Sequence, residues 1–222
     1  LQDYDPEEKG ELNLMDRWLL SKMERVTQKV TAALENCQFN VATDEIRKFT
    51  WHSFCDQYIE AVKHRLYQPE TYGKEKRAAA QYTLYTAIYR ILQLLAPISP
   101  HIAEEIYQIM YADDKKHESI HVSPWPTIHE ELIDEETEKK GDLIVAVMGE
   151  IRRDKAENQK PLNAPIQKLT IHSEDKTTTQ VLRQAEEDLV GTCKIEKIEI
   201  VKGKGEGKEV QGYPDVRFRT EY

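Results

Sequence analysis

No stretch of about 18 consecutive apolar residues occurs in the 222-residue sequence, and its start, "LQDYDPEEKG", has neither a basic n-region nor an apolar h-region. A membrane span and a secretory signal are both unsupported, and the chain reads as soluble and cytosolic, with no membrane partner. Cysteine is scarce: Cys37, Cys55 and Cys193 are odd in number and far apart, with no CxxC and no Cys/His pair at zinc spacing. That argues against a disulfide framework and a structural metal; His52 and Cys55, the nearest approach to a ligand pair, are expected to sit on different sides of one helix turn. A GxSxG elbow is absent. The glycine-rich "KGKGEGKE" has neither the spacing of a phosphate loop nor the Ser or Thr that should follow, and reads as a flexible hairpin tip.

Positive charge is also in short supply. The net charge of −9 argues at first against a nucleic-acid partner. Its distribution removes the objection: "EELIDEETEKK" (Glu130 to Lys140) carries six acids and two bases, and the first eleven residues hold Asp3, Asp5, Glu7, Glu8 and Glu11 against Lys9. Each segment is −4, so the rest of the chain is close to neutral and has room for a local basic face.

What is present is helical periodicity over a 39% hydrophobic composition. Met15, Leu19, Met23, Val26, Val30, Ala33 and Leu34 recur at three- and four-residue spacing and predict a helix from Leu12 to about Asn36. "QFN" interrupts it. An aromatic-rich helix (Phe49, Trp51, Phe54, Tyr58) is predicted from about Val41 to Leu66, a third from Lys74 to Leu95, and another from about Glu135 to Asn158. In "LLAPISPHIAEEIY", Pro97 ends the third helix, while Ser99 caps and Pro100 begins a helix running to about Tyr111. Ile98 is expected to staple onto Ala103, with Ile102, Ile106 and Ile109 facing the bundle. Beyond "KPLNAPIQ" the texture changes: "KLTIH", "KIEKIEIV" and "VRFRTEY" read as strands, with one helix over "TTTQVLRQAEEDLV" that leads through Gly191 to the second strand. The division predicted is an antiparallel helical bundle over residues 1–160 and a small α+β module over 161–222, in a mainly α chain.

Ser99, His101 and Glu104 or Glu105 have the residue types of a hydrolase triad, but residues i and i+2 of a helix point about 200° apart, so no catalytic set is assigned. Three basic residues are better placed. With Met15 as reference on the first helix, the core falls at roughly 0° to 100°, while Lys22, Arg25 and Lys29 gather at about −20° to −80° and Glu24 and Glu35 lie on the far side. The basic ridge either meets phosphate oxygens or snorkels over apolar neighbours. Phe39 and Asn40, where the first helix turns into the second, either stack on and read a base or staple the helix cap. "EIRRDKAENQKPLN" holds the densest basic cluster, Arg152, Arg153, Lys155 and Lys160, which is either a solvated face or a nucleic-acid contact.

"LMDRWLLSKMERV", "FTWHSFCDQYIEAVKHRL", "LLAPISPHIAEEIY" and "PLNAPIQKL", in this order, resemble the C-terminal part of the valyl-tRNA synthetases, within the class Ia aminoacyl-tRNA synthetases, over roughly residues 12 to 172. "LLAPISPHIAEEIY" is shared with the isoleucyl and leucyl members; "SFCDQYIE" is of the valyl kind, although Gln57 stands where that family commonly has tryptophan. The resemblance implies an anticodon-binding bundle with valine-accepting tRNA as partner and a catalytic domain on the same polypeptide. The domain of the isoleucyl enzyme, or a helical protein-interaction scaffold, is the alternative. HIGH-like and KMSKS-like motifs are missing and the sequence does not start with methionine. The expectation is therefore a fragment without catalysis, cofactor or metal of its own, the ATP and Mg²⁺ belonging to the parent enzyme. The bacterial coiled-coil arm is also missing, as in the compact archaeal-like form. By the resemblance, Lys22, Arg25, Lys29, Phe39, Asn40 and Arg47 take the role of tRNA contacts in the bundle, and Arg152 and Arg153 that of backbone contacts.

Overall fold

The structure is a computed structural model that describes residues 4, 9–111 and 117–222. Asp3, Asp5, Glu7 and Glu8 of the acidic start lie outside the described residues. The chain is mainly helical, with a small mixed sheet toward its C-terminal end. It separates into two compact units, one of residues 1–58 and 75–135, the other of residues 59–74 and 136–222. The change of texture at Pro161 marks where helix gives way to strand, whereas packing groups the preceding helix with the sheet.

In the first unit, α1 (Leu14–Glu35) is followed by α2 (Phe39–Lys48), which runs without a break into a π-helical stretch, Phe49–Ile59. The π turn has a clear consequence. Phe49 and Phe54 are five residues apart, about 140° out of register on an α-helix, but i→i+5 bonding at roughly 4.4 residues per turn brings them into line with Tyr58. All three are buried, and Trp51, His52 and Asp56 face outward. The Tyr58 hydroxyl donates to the buried carboxylate of Asp16 at 2.6 Å, and that carboxylate also accepts from the Asn13 N–H at 2.8 Å, closing the start of α1.

Downstream of the segment that becomes α3 (Glu60–Tyr67) and α4 (Pro69–Tyr72), the first unit resumes with α5 (Lys74–Leu95) and α6 (Pro100–Tyr111). Pro97 and Pro100 bracket the break between them as their missing N–H groups require, and the Ala103 N–H donates to the Ser99 carbonyl. Two details of this break differ from expectation. The buried face of α6 is Ala103, Tyr107 and Tyr111, at i, i+4 and i+8, which packs with Leu92, Ala96 and Ile120; Ile102 and Ile109 are 53% and 73% exposed. Ile98 packs on the other cluster, Val30, Ala33, Ala42, Ile46 and Leu94, and not on Ala103. The tyrosines outcompete isoleucine for the inside because their hydroxyls find carbonyls, Tyr111 on Tyr85 at 2.7 Å and Tyr107 on His117 at 2.9 Å.

Glu24 is not a solvated residue of the far side of α1. Its side chain is buried against the guanidinium of Arg90 from α5, with Oε1 at 3.3 Å from Nη2, and it accepts the His129 N–H at 3.0 Å. Arg90 also donates to Thr27 at 3.0 Å. A helix packed on nearly every side leaves a charge on it no route to water, so the charge must be paired internally.

In the second unit, α7 (Glu135–Glu157) precedes β1 (Ile166–Ser173), α8 (Lys176–Gln184), α9 (Glu186–Cys193), β2 (Ile195–Lys202), β3 (Lys208–Val210) and β4 (Tyr213–Glu221). The helix over "TTTQVLRQAEEDLV" is thus two, parted at Ala185, and Gly191 lies inside α9 and not in a loop. A Cβ at Gly191 would sit 2.4 Å from the His64 ring, so only glycine lets α9 pack this closely on α3. The sheet order is β2-β1-β4-β3, with β2 parallel to β1 and the other pairs antiparallel. β2 and β3 are therefore opposite edges. "KGKGEGKE" crosses between them and is no hairpin tip; the hairpin turn is the one between Val210 and Tyr213.

Asp154 of α7 ties the sheet to its helix: Lys208 lies 2.5 Å from it, and Thr220 and Tyr222 donate to it at 2.5 and 2.7 Å. Burial alone would raise this carboxyl, but the hydrogen bonds from Lys208, Thr220 and Tyr222 outweigh it and hold the pKa below the ordinary 3.8.

Two outcomes follow in urea unfolding. Arg90→Ala, which strands the Glu24 charge, should lower stability by about 3–5 kcal/mol. Asp154→Asn should cost about 2–3 kcal/mol at neutral pH. Because the folded pKa is depressed, the wild-type advantage is present above about pH 4 and is lost as pH falls through the folded pKa, so the two curves should converge in acid.

Candidate nucleic-acid interface

The α1–α2 corner is shaped by the backbone. Cys37 takes φ 55°, its N–H donates to the Leu34 carbonyl at 3.0 Å, and the Gln38 N–H reaches back to Ala33 at 2.8 Å, so α1 stops and α2 begins within three residues. Val30 and Ala33 then pack on Ala42 and Ile46. With that side inside, Phe39, Asn40, Thr43, Arg47, Lys48 and Trp51 form an exposed stripe along α2 and the π turn. Phe39 is 57% and Trp51 58% exposed. Between these two aromatics lie Arg47 and Lys48, both on Asp44 at 2.7 and 2.6 Å, and these two hydrogen bonds hold the Asp44 carboxyl below its ordinary value. Lys29 of α1 joins the stripe through Glu45 at 3.2 Å.

Lys22 and Arg25, further back on α1, are half-buried, and the Lys22 ammonium lies 5.0 Å from the ring centre of the buried Trp18. The predicted bundle contacts therefore fall into two groups, Lys29, Phe39, Asn40 and Arg47 at the corner and Lys22 with Arg25 along the helix. Arg152 and Arg153 belong to the second unit. Arg153 is exposed, with Glu150 at 3.0 Å; Arg152 is half-buried. The four-residue basic cluster does not act as one face, since Lys155 is buried while Lys160 stands over the Tyr222 ring at 5.7 Å.

Trp51 and Lys48 were not singled out by sequence reasoning. Trp51 counted there as one more apolar residue of an aromatic helix; its position one turn after Arg47, between Thr50 and His52, was the available signal. A hydrolase set does not assemble: Glu104 accepts from Ser119 at 2.8 Å and from the Ile120 N–H at 3.1 Å, and His101 is exposed. His52 pairs with Asp56 at 3.4 Å and not with Cys55. Among the described residues no group of three or more His, Cys, Asp or Glu is arranged to hold a metal ion, and no helix is long and apolar enough to cross a membrane.

An exposed aromatic and basic stripe on a helical unit suits an RNA loop, and comparison with known proteins gives it a family. The sequence model described as the anticodon-binding domain of tRNA ligase matches residues 16–171. The chain belongs to that family. Among curated relatives, the valine–tRNA ligase of Pyrococcus furiosus is 38% identical over 93% of this chain, that of Methanothermobacter thermautotrophicus 42% over 86%, and that of Thermococcus kodakarensis 40% over 94%. The chain spans 23%, 21% and 23% of their respective lengths.

The anticodon-binding domain should tolerate loss of its outward aromatics. Phe39→Ala and Trp51→Ala are expected to change stability by no more than about 0.5 kcal/mol. Phe49→Ala, on the buried side of the same π turn, should cost about 3–5 kcal/mol. Urea midpoints of the three variants make the comparison.

Proposed function

We propose that the chain binds the anticodon stem and loop of valine-accepting tRNA, as one part of a valine–tRNA ligase. The observation that carries this reading is the stripe at the α1–α2 corner, where Phe39 and Trp51 offer faces for unstacked bases and Lys29, Arg47 and Lys48 offer charge for the phosphates between them. The names of the relatives support valyl over isoleucyl. Lys22 and Arg25 extend the contact along α1, with Asn40 reading a base edge and Arg152 and Arg153 meeting the RNA backbone.

On this reading the domain recognises and orients its RNA and makes no bond. Aminoacylation, with its ATP and Mg²⁺, falls to the catalytic domain of the same polypeptide, and the setting is the cytoplasm. No cofactor is assigned to the residues of this chain.

Binding of a tRNA with a valine anticodon, compared with the same tRNA carrying an altered anticodon at two salt concentrations, tests the proposal. Tighter binding of the valine form is expected, with affinity falling steeply as salt rises. Equal or undetectable binding of both forms at low salt would sink it. Phe39→Ala and Trp51→Ala should each weaken the valine form by about 1–3 kcal/mol if a base stacks there.

A further inference from the structure

The α1–α2 corner uses its polar side chains unevenly. The Asn36 amide donates to the Ala32 carbonyl at 2.7 Å at the end of α1, and the Thr43 hydroxyl donates to the Phe39 carbonyl at 2.7 Å within α2. Gln38 and Asn40, which lie between them in sequence, serve neither helix. Gln38 stands at the N-cap of α2, yet its side chain makes no cap hydrogen bond, and its φ −91° and ψ 64° fall outside the extended region usual for a cap. Serine, threonine, aspartate or asparagine would suit the helix better at that position. The Gln38 backbone is fully engaged, its N–H on Ala33 at 2.8 Å and its carbonyl accepting from Ala42 at 3.1 Å, so the side-chain amide alone remains. Asn40 is exposed, and among the described residues its amide has no partner.

The backbone that carries these amides is fixed. Cys37, left-handed at φ 55°, turns the chain, and its N–H on Leu34 at 3.0 Å holds the turn. Gln38, Phe39, Asn40 and Val41 are then exposed in succession, with the Phe39 ring between the two amides in sequence. A carboxamide sets an acceptor beside a donor, the complement of an amino group next to a ring nitrogen on a base edge. Adenine and cytosine both carry that pair. All valine codons begin with G and U, so every valine anticodon has A in its middle position and C in its third, while the first base varies. Two free amides thus face two invariant bases of the same edge pattern.

We propose that Gln38 and Asn40 are the specificity-determining residues of the corner, one amide on each of the two bases that all valine anticodons share. The proposal rests on the anticodon reading above and deepens it. Phe39 supplies stacking, which every base accepts, and the amides supply the choice. The first anticodon base needs no reader among them.

The test uses the whole chain and synthetic anticodon stem–loop RNA. Purine in place of the middle adenine, or 2-pyrimidinone in place of the third cytosine, deletes one amino group and keeps the ring for stacking. Each deletion should weaken binding to the wild-type chain about fivefold, the loss of one hydrogen bond. Gln38→Ala should remove the response to one deletion and keep the response to the other, and Asn40→Ala should do the reverse. Gln38→Met, which keeps the side-chain length and removes only the amide, should match Gln38→Ala. Phe39→Ala should weaken all three RNAs alike. If both alanine variants keep both responses, or if either variant loses both, the assignment of one amide to each base is overturned. If the wild-type chain prefers a valine anticodon but ignores both deletions, this proposal falls and the anticodon reading stands. If it shows no preference for a valine anticodon over an altered one, both fall.

Discussion

Glu24 and Arg90 bring opposite charges into the interior of the helical unit, and much of that unit's order follows from keeping them satisfied. Glu24 is sealed from solvent and Arg90 nearly so, and each is fixed by the other. The remaining lone pairs and N–H groups recruit Thr27 from the same helix and the backbone of His129 from a distant loop. An apolar pair of similar volume would be about as stable, but it would lack the directional contacts that the charged pair makes to Thr27 and His129. Further along α1, Val30 and Ala33 pack on Ala42 and Ile46, so Lys29 and the corner leading to Phe39 are presented on the opposite, outward side.

The other strong constraint is the π turn. It converts a sequence whose aromatics do not share one α-helical face into a stretch with Phe49, Phe54 and Tyr58 inside and Trp51 outside. Carrying its last aromatic to Asp16 anchors the turn to the start of α1, so the outward face is as well defined as the inward one. The acidic balance of the chain does not oppose RNA, because Asp44 and Glu45 are engaged by Arg47, Lys48 and Lys29, leaving those cations ordered along the stripe. Their pairing is exposed and weak, and phosphate can exchange for carboxylate at small cost.

Much of the helical architecture was legible in the sequence, because proline and glycine act locally. Pro97 and Pro100 placed the break between α5 and α6, and Gly73 preceded the start of α5 at Lys74. What periodicity could not supply is whatever depends on a partner remote in sequence. Glu24 looks solvated on a wheel of its own helix and is buried only because α5 arrives beside it. Ile102 and Ile109 look like core and are displaced by tyrosines whose hydroxyls have carbonyls to reach. A glycine-lysine stretch between two strands gives no sign of whether those strands are neighbours, and here they are opposite edges. The basic residues of the candidate interface were visible as letters, but Trp51 required the π register, and the burial of Lys155 required the carbonyls of Leu162, Ala164 and Cys193 to fold back over α7.

The strand order has a further meaning. β4, the last strand in sequence, is not an edge: it is hydrogen-bonded on one side to β1 and on the other to β3, and Tyr222 just beyond it holds Asp154. During synthesis β1 and β2 can pair as soon as both have left the ribosome, yet the sheet must wait with β1 open on one side until residues up to Glu221 emerge. Until then Asp154 lacks Thr220 and Tyr222, and the strand that carries Lys208 has no neighbour to hold it in place. The unit is therefore completed late, and a cut anywhere within β4 would remove an interior strand of the sheet.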